Sequence, residues 1–267
     1  MNSRIEYFDV VSQALQDAGN AVLHFYEKEY QVHTKDDGSP VTLADKASHN
    51  ILIEQLCGTQ IPVYTEESDS VYPPAETFWC VDPLDGTKDF IHATGDFSIL
   101  VSLIDRRQPS IGFVYQPTTG DLFFAQRGKG AFARSANGNT VSIHADSQAT
   151  FAQQKLLVSR FHLQESETKL KDQLALLGFE QKGSCGLKMV AVAQGSAHIY
   201  VNSSDKTSEW DTAAGQVILQ EAGAALTDID GNQLIYAKDQ TNNPNGIVAT
   251  SNFDHQKVLE SLQICLN

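Results

Sequence analysis

Residues 79–90, WCVDPLDGTKDF, end an apolar, strand-like run with two acids, Asp82 and Asp85, three positions apart. Pro83 stands between them and Gly86-Thr87 follow directly. Two carboxylates this close repel each other at neutral pH, so their pairing needs a reason. A strand ending here and a helical turn starting near Thr87 would put both acids at one loop mouth. Free N–H groups of such a turn can face an anion, and Gly86 lets the backbone approach it closely. Acids at the mouth of an anion cradle suit Mg²⁺, a hard cation that keeps several waters and bridges to phosphate oxygens. Taken alone, a D-x-x-D pair is more often a turn cap beside a solvated acid.

Two other stretches change that balance. PVYTEES (62–68) ends a second strand-like run with Glu66-Glu67, and SEWDTAAG (208–215) sets Asp211 at the start of a helix. Glu67 reads as ordinary surface charge, and Asp211 has an alternative use as a helix cap. Together, Glu66, Asp82, Asp85 and Asp211 supply enough oxygens for two metals about 4 Å apart, the arrangement that clamps an in-line phosphoryl displacement. Nothing in the sequence gives the charge of Asp85 a second, structural use. Phosphatases that form an aspartyl-phosphate place their second Asp two residues after the nucleophile. The three-residue spacing here favours direct attack by water over a covalent intermediate.

Further from this centre, Ile5, Phe8, Val11, Leu15, Ala18, Val22 and Phe25 recur at helical spacing and predict a helix over 3–27. Gly38-Ser39-Pro40 breaks the chain, and Thr42 with Asp45 forms a capping-box start for a second helix. Five strand-like runs, IPVYT, TFWCV, FSILVSLI, IGFVY and LFFA, predict a mostly antiparallel sheet. After about residue 150 strands and helices alternate: KLLVS, ESETKLKDQLALLG (165–178), LKMVAVAQG, AHIYV, DTAAGQVILQEAG, GIVAT and FDHQKVLESLQ. The fold class is therefore α/β (α+β), in one compact unit of two halves: 1–150, carrying most of the acids, and 151–267, carrying Asp211.

Composition bounds the partners. At 267 residues and a formal charge of −14, the chain lacks the Lys and Arg clusters that hold a nucleic-acid backbone. A small phosphorylated ligand remains compatible, because divalent cations reverse the local sign of an acidic site. No leader-like N-terminus or membrane-length apolar run is present, so a cytoplasmic protein without stable membrane insertion is expected. Cys57, Cys80, Cys185 and Cys265 are widely spaced, as expected of reduced thiols.

DPLDGTKDF (82–90), with TEES (65–68) upstream and WDTAAG (210–215) downstream, resembles the lithium-sensitive, Mg²⁺-dependent inositol monophosphatase superfamily. GSPVTLADKASHNIL, GDFSILVSLID, IGFVYQP and EAGAALTD extend the likeness through nearly the whole chain. The resemblance implies a layered αβαβα sandwich of the inositol monophosphatase / fructose-1,6-bisphosphatase type, with two or three Mg²⁺ ions and a possible homodimer. Within the superfamily the motifs look most like the 3'(2'),5'-bisphosphate nucleotidase branch, which removes the 3'-phosphate of adenosine 3',5'-bisphosphate, a by-product of sulfate activation. The same metal core also serves inositol monophosphatases and sugar bisphosphatases. A non-catalytic metal or nucleotide sensor ranks behind both, since Thr87 and Asp45 are retained.

Carried over residue by residue, the resemblance makes Glu66, Asp82, Asp85 and Asp211 metal ligands through side chains and Leu84 one through its carbonyl. Thr87, backed by Asp45, activates water, with Glu66 assisting. The substrate-side set is Asp85, Gly86, Thr87, His162, Ser184, Cys185, Lys188 and Asp211. Two positions depart from the branch. Cys185 stands where a serine is common, and Asn202 where a phosphate-binding arginine is expected, with Lys206 nearby as a replacement cation. Apart from this role, Lys188 reads as a solvated helix residue.

Overall fold

A computed structural model describes residues 5–26, 33–34, 40–68, 75–146, 148–161, 163–251 and 254–266. In chain order its elements begin with α1 (Phe8–Phe25), β1 (His33–Thr34), β2 (Pro40–Val41), α2 (Leu43–Cys57), β3 (Val63–Thr65) and β4 (Thr77–Asp85). Then come α3 (Thr87–Ile91), β5 (Ser98–Asp105), β6 (Gln108–Gln116), β7 (Asp121–Gln126), β8 (Gly130–Arg134) and β9 (Thr140–Ile143). The remainder is β10 (Lys155–Ser159), α4 (Glu165–Gln173), β11 (Gly178–Lys182), α5 (Cys185–Ala193), β12 (Ile199–Asn202), α6 (Glu209–Glu221), β13 (Ala225–Thr227), β14 (Ile247–Thr250) and α7 (His255–Leu266).

β3 to β9 form a seven-stranded sheet in sequence order, antiparallel except for the β3–β4 pair. Its central strands are apolar on both faces because both are covered. Phe78, Cys80, Leu100, Val114 and Phe123 share a cluster with α5 and α6 residues such as Met189, Ala213 and Val217. Their neighbours Trp79, Val81, Val101, Phe113 and Phe124 point the other way, against Val11, Leu15, Leu52 and Leu56 of α1 and α2. Period-two alternation thus feeds two separate cores. The second sheet, in order β11-β10-β12-β14-β13, turns Leu157, Tyr200 and Ala249 toward the α5/α6 layer and Leu156, Val158, Val201 and Val248 toward α4 and α7. The layers are therefore α1/α2, large sheet, α5/α6, small sheet, α4/α7, the αβαβα sandwich expected. α6 lies so close to β6 that a Cβ at Gly112 would stand 2.4 Å from the Ala214 carbonyl oxygen.

Several boundaries differ from the sequence reading. The first helix begins at Phe8, because Tyr7 takes a left-handed φ of 58°, and Ile5 is buried outside the helix. The helix predicted over 165–178 stops at Gln173; Ala175 has φ 50° and Gly178 opens β11. β8, β9 and β11 carry too little buried apolar alternation to announce themselves. Among the described residues no helix is long and apolar enough to cross a membrane.

Candidate active site

The pairing of the strands decides where the acids go. β3 runs parallel to β4 with Thr65 opposite Val81, and the Glu66 N–H donates to the Val81 carbonyl at 3.1 Å. Glu66 therefore leaves the sheet beside Asp82. Along β4 and β5, Asp82 pairs with Leu100 but Asp85 with Ser98, so β4 contains one extra residue at the break. Pro83, with no N–H to give, sits inside that bulge. In an unbroken strand, residues three apart face opposite ways. The inserted residue restores the phase and turns Asp82 and Asp85 to one side. Asp211, in the first turn of α6, completes a capping box by accepting the Ser208 N–H at 2.5 Å. One oxygen from each of Asp82, Asp85 and Asp211 can be chosen so that all three lie within 4.8 Å of one another.

Such proximity is costly without a counter-charge. Burial pushes the Asp82 carboxyl well above the usual range, and repulsion from Glu66, Asp85 and Asp211 adds to it, against the Leu84 N–H donated at 2.9 Å. Asp211 is raised by burial, then by Asp85 and Glu66, with the Ser208 N–H and Lys188 pulling the other way. A buried, all-oxygen donor set that repels itself matches a hard divalent cation, which would replace the protons the acids otherwise retain.

Beside the acids, the Thr87 hydroxyl lies 3.4 Å from Asp45 Oδ1 and 3.2 Å from the Leu84 carbonyl oxygen. Asp45 Oδ2 accepts the Thr42 N–H at 2.7 Å and the Thr42 hydroxyl at 2.6 Å, closing the capping box of α2. The cap and the Thr87 contact thus use different oxygens of one carboxylate. Burial raises the Asp45 carboxyl to about 6 despite the Thr42 donors.

Asp85 departs from the sequence expectation, because its charge does have a structural use. Its carboxylate accepts the Cys185 N–H at 3.0 Å, the Gly186 N–H at 2.8 Å and the Ser184 hydroxyl at 2.5 Å, and so caps the first turn of α5. This joins the two sheets' halves across about a hundred residues, which no local pattern can signal.

Glu66, Asp85 and Asp211 line a cleft of about 210 Å³, which the buried Asp82 does not reach. Of the expected substrate-side residues, Asp85, Gly86, Thr87, Ser184, Cys185, Lys188 and Asp211 line it, and His162 falls outside the described residues. Lys188 is not a solvated residue: it is buried, donates to the carbonyls of Ser184 at 2.8 Å and Lys182 at 3.2 Å, and lies over the Tyr200 ring at 5.2 Å. Burial lowers its amine below the ordinary lysine value. The Asn202 side chain folds back onto its own loop, accepting the Ser204 N–H and hydroxyl, while Lys206 stays exposed at the cleft. Sequence reasoning missed Tyr200, Ser204 and Thr207, and also Phe161, whose ring sits 4.8 Å from that of His92. At the rim, Arg160 bonds Asp89 at 2.9 Å and Asp96, and Lys182 reaches Asp96 at 3.4 Å.

Comparison with known proteins agrees in extent with this architecture. The inositol monophosphatase family model matches residues 4–266. A 3'(2'),5'-bisphosphate nucleotidase CysQ of Aggregatibacter actinomycetemcomitans is 35% identical over 262 residues, covering 95% of this chain and 96% of its own. The protein of the same name from Escherichia coli K12 is 36% identical, covering 85% and 93%. Among solved structures, CysQ from Bacteroides thetaiotaomicron superposes with a TM-score of 0.76 at 31% identity over 92% of this chain and 98% of that one. The suhB protein from Bartonella henselae gives 0.84 at 25% identity over 97% and 99%. By sequence and by fold, the chain belongs to the inositol monophosphatase family.

Proposed function

We propose that this protein is a 3'(2'),5'-bisphosphate nucleotidase that hydrolyses adenosine 3',5'-bisphosphate to AMP and phosphate. The observation that carries the reading is the clustering of Asp82, Asp85 and Asp211 oxygens within 4.8 Å at a cleft that Thr87 also lines. Its nucleotide specificity is supported by the names of the relatives that span nearly the whole chain. The side chains of Glu66, Asp82, Asp85 and Asp211 and the Leu84 carbonyl would hold Mg²⁺, two or three ions in all. Mg²⁺ supplies a counter-charge for the substrate phosphate and makes water easier to deprotonate.

The chain's own residues do the rest. The Thr87 hydroxyl, shared between Asp45 and the Leu84 carbonyl, orients the attacking water. Asp45, with its carboxyl raised to about 6, takes up the proton that Thr87 passes on. Glu66, at the cleft edge, assists the same water. Lys188 and Lys206 also line the cleft and offer positive charge for the phosphate that does not react. A cytoplasmic, lithium-sensitive enzyme acting on a by-product of sulfate activation belongs to the same reading, as does the homodimer that the resemblance implies.

The test is a substrate panel with Mg²⁺: adenosine 3',5'-bisphosphate, inositol 1-phosphate and fructose 1,6-bisphosphate at equal concentration, with and without lithium. The bisphosphate nucleotide should give the highest kcat/KM. A preference for either of the others would reassign the enzyme to inositol or sugar phosphates.

A further inference from the structure

Asp85 has about four lone-pair positions on its two oxygens, and the hydrogen bonds divide them unequally. Oδ2 accepts the Gly186 N–H at 2.8 Å and the Ser184 hydroxyl at 2.5 Å, with the Ser98 hydroxyl 3.4 Å away. Oδ1 accepts the Cys185 N–H alone, at 3.0 Å. The Ser184 oxygen receives the Leu187 N–H at 2.9 Å, and its single proton goes to Asp85, whose carboxylate can only accept. Ser98, 2.8 Å from Ser184, gives its proton there. A directed chain results, from Ser98 to Ser184 to Asp85 Oδ2. Ser98 is fully buried on β5 and is not among the residues lining the cleft. Ser184 holds its place with a positive φ of 52°, a conformation that residues with a side chain rarely adopt.

We propose that Ser98 and Ser184 determine which divalent cation the acid cluster accepts, an inference that rests on reading that cluster as a metal site. With Oδ2 filled from the α5 side, Asp85 has an open lone pair only on Oδ1 and ligates through a single atom. Mg²⁺ is small and octahedral and uses carboxylates through one oxygen. Ca²⁺ gathers about six to eight oxygens and gains from carboxylates that give two. A carboxylate held to one oxygen withholds the ligand that Ca²⁺ would add. Ser98 acts only through Ser184 and is a positioning residue.

The experiment is calorimetric titration of the full chain with Mg²⁺ alone and Ca²⁺ alone, for wild type, Ser98→Ala, Ser98→Thr and the Ser98→Ala/Ser184→Ala double variant, each checked for folding by thermal unfolding. In the double variant Ca²⁺ should bind about five- to ten-fold tighter, with Mg²⁺ affinity within about two-fold of wild type. Ser98→Ala should shift the ratio the same way by a smaller factor, and supplies the test if the double variant does not fold. Ser98→Thr, which keeps the hydroxyl, should retain the wild-type ratio. Equal weakening of both cations, or an unchanged ratio in the folded alanine variants, would overturn the inference while leaving the metal site intact. A wild-type chain that binds neither cation would overturn the metal-site reading itself, and the inference with it.

Discussion

On one side of the cleft, Glu66, Asp85 and Asp211, with the buried Asp82 clustered with them, stand in or directly beside β3, β4 and α6, each fixed by ladder register or a capping bond. On the other, Phe161, Ser204, Lys206 and Thr207 come from the segments that follow β10 and β12, and the Asn202 side chain, at the end of β12, accepts from Ser204 of that following turn. A shift of one residue in β4 would send an acid to the wrong face. A change at the exposed Lys206 would disturb little beyond its loop. The phosphate chemistry is therefore tied to the core of the fold, whereas the choice of substrate is free to vary over it. That asymmetry explains how the chain keeps every acid of the cluster yet has Asn202 where the resemblance expects arginine.

The largest effect that would test this contrast belongs to the acid wall. Asp85→Asn should largely abolish turnover and also lower stability by about 1 kcal/mol, because an amide N–H₂ meets the N–H groups of α5 that the carboxylate caps. Activity assays and thermal unfolding on one preparation check both, and a fully active, equally stable variant would break the comparison. Next, Thr87→Ala should lower kcat by about 10²-fold with cation affinity changed much less. A defect cured by excess Mg²⁺ would make Thr87 a support for the metal loop instead.

A third effect lies behind the other wall. Glu167, buried in the first turn of α4, has its carboxyl raised from 4.5 to about 7, chiefly by burial. Because the folded value is the higher, the native state is not penalised below pH 4.5, loses stability as pH rises to about 7, and stays penalised above it. Between pH 5 and 8 the loss from this group is about 2 kcal/mol. Glu167→Gln, which keeps an acceptor for the Gln164 N–H, should flatten that slope in denaturant titrations. The smallest effect is Lys188→Met, expected to raise KM about ten-fold for the bisphosphate nucleotide, or about 1.4 kcal/mol, and less for inositol 1-phosphate. Equal changes on both substrates would place Lys188 among the supports of α5, through its bonds to the Ser184 and Lys182 carbonyls.

How much of this was legible in the sequence follows the same divide. The acids announced themselves because Glu66, Asp82 and Asp85 end strand-like runs and Asp211 opens a helix, and the layers followed from apolar alternation in β4 to β7 and helical spacing in α1 and α2. The bulge at Pro83 was readable only as an oddity of spacing, since its effect depends on the partner strand. The cap that Asp85 gives α5 joins residues a hundred positions apart and left no local trace. Nor did Ser98, one hydroxyl in an apolar strand. The neighbours of Lys188 in MVAVA do not reveal that Tyr200 and two carbonyls enclose it, so only the structure removes the alternative of a solvated helix residue.

The seating of α6 against β6 has a consequence for how the molecule comes into being. The face of the large sheet that carries Phe78, Leu100, Val114 and Phe123 is covered by residues of α5 and α6, far downstream on the chain. On a ribosome the sheet's last strand emerges several seconds before α6 does. Until then the nascent chain presents an uncovered apolar face to its surroundings, a hazard for association with other chains. It also lacks Asp211, which arrives with α6 itself. The cluster of Asp82, Asp85 and Asp211 is thus incomplete for as long as the sheet is uncovered.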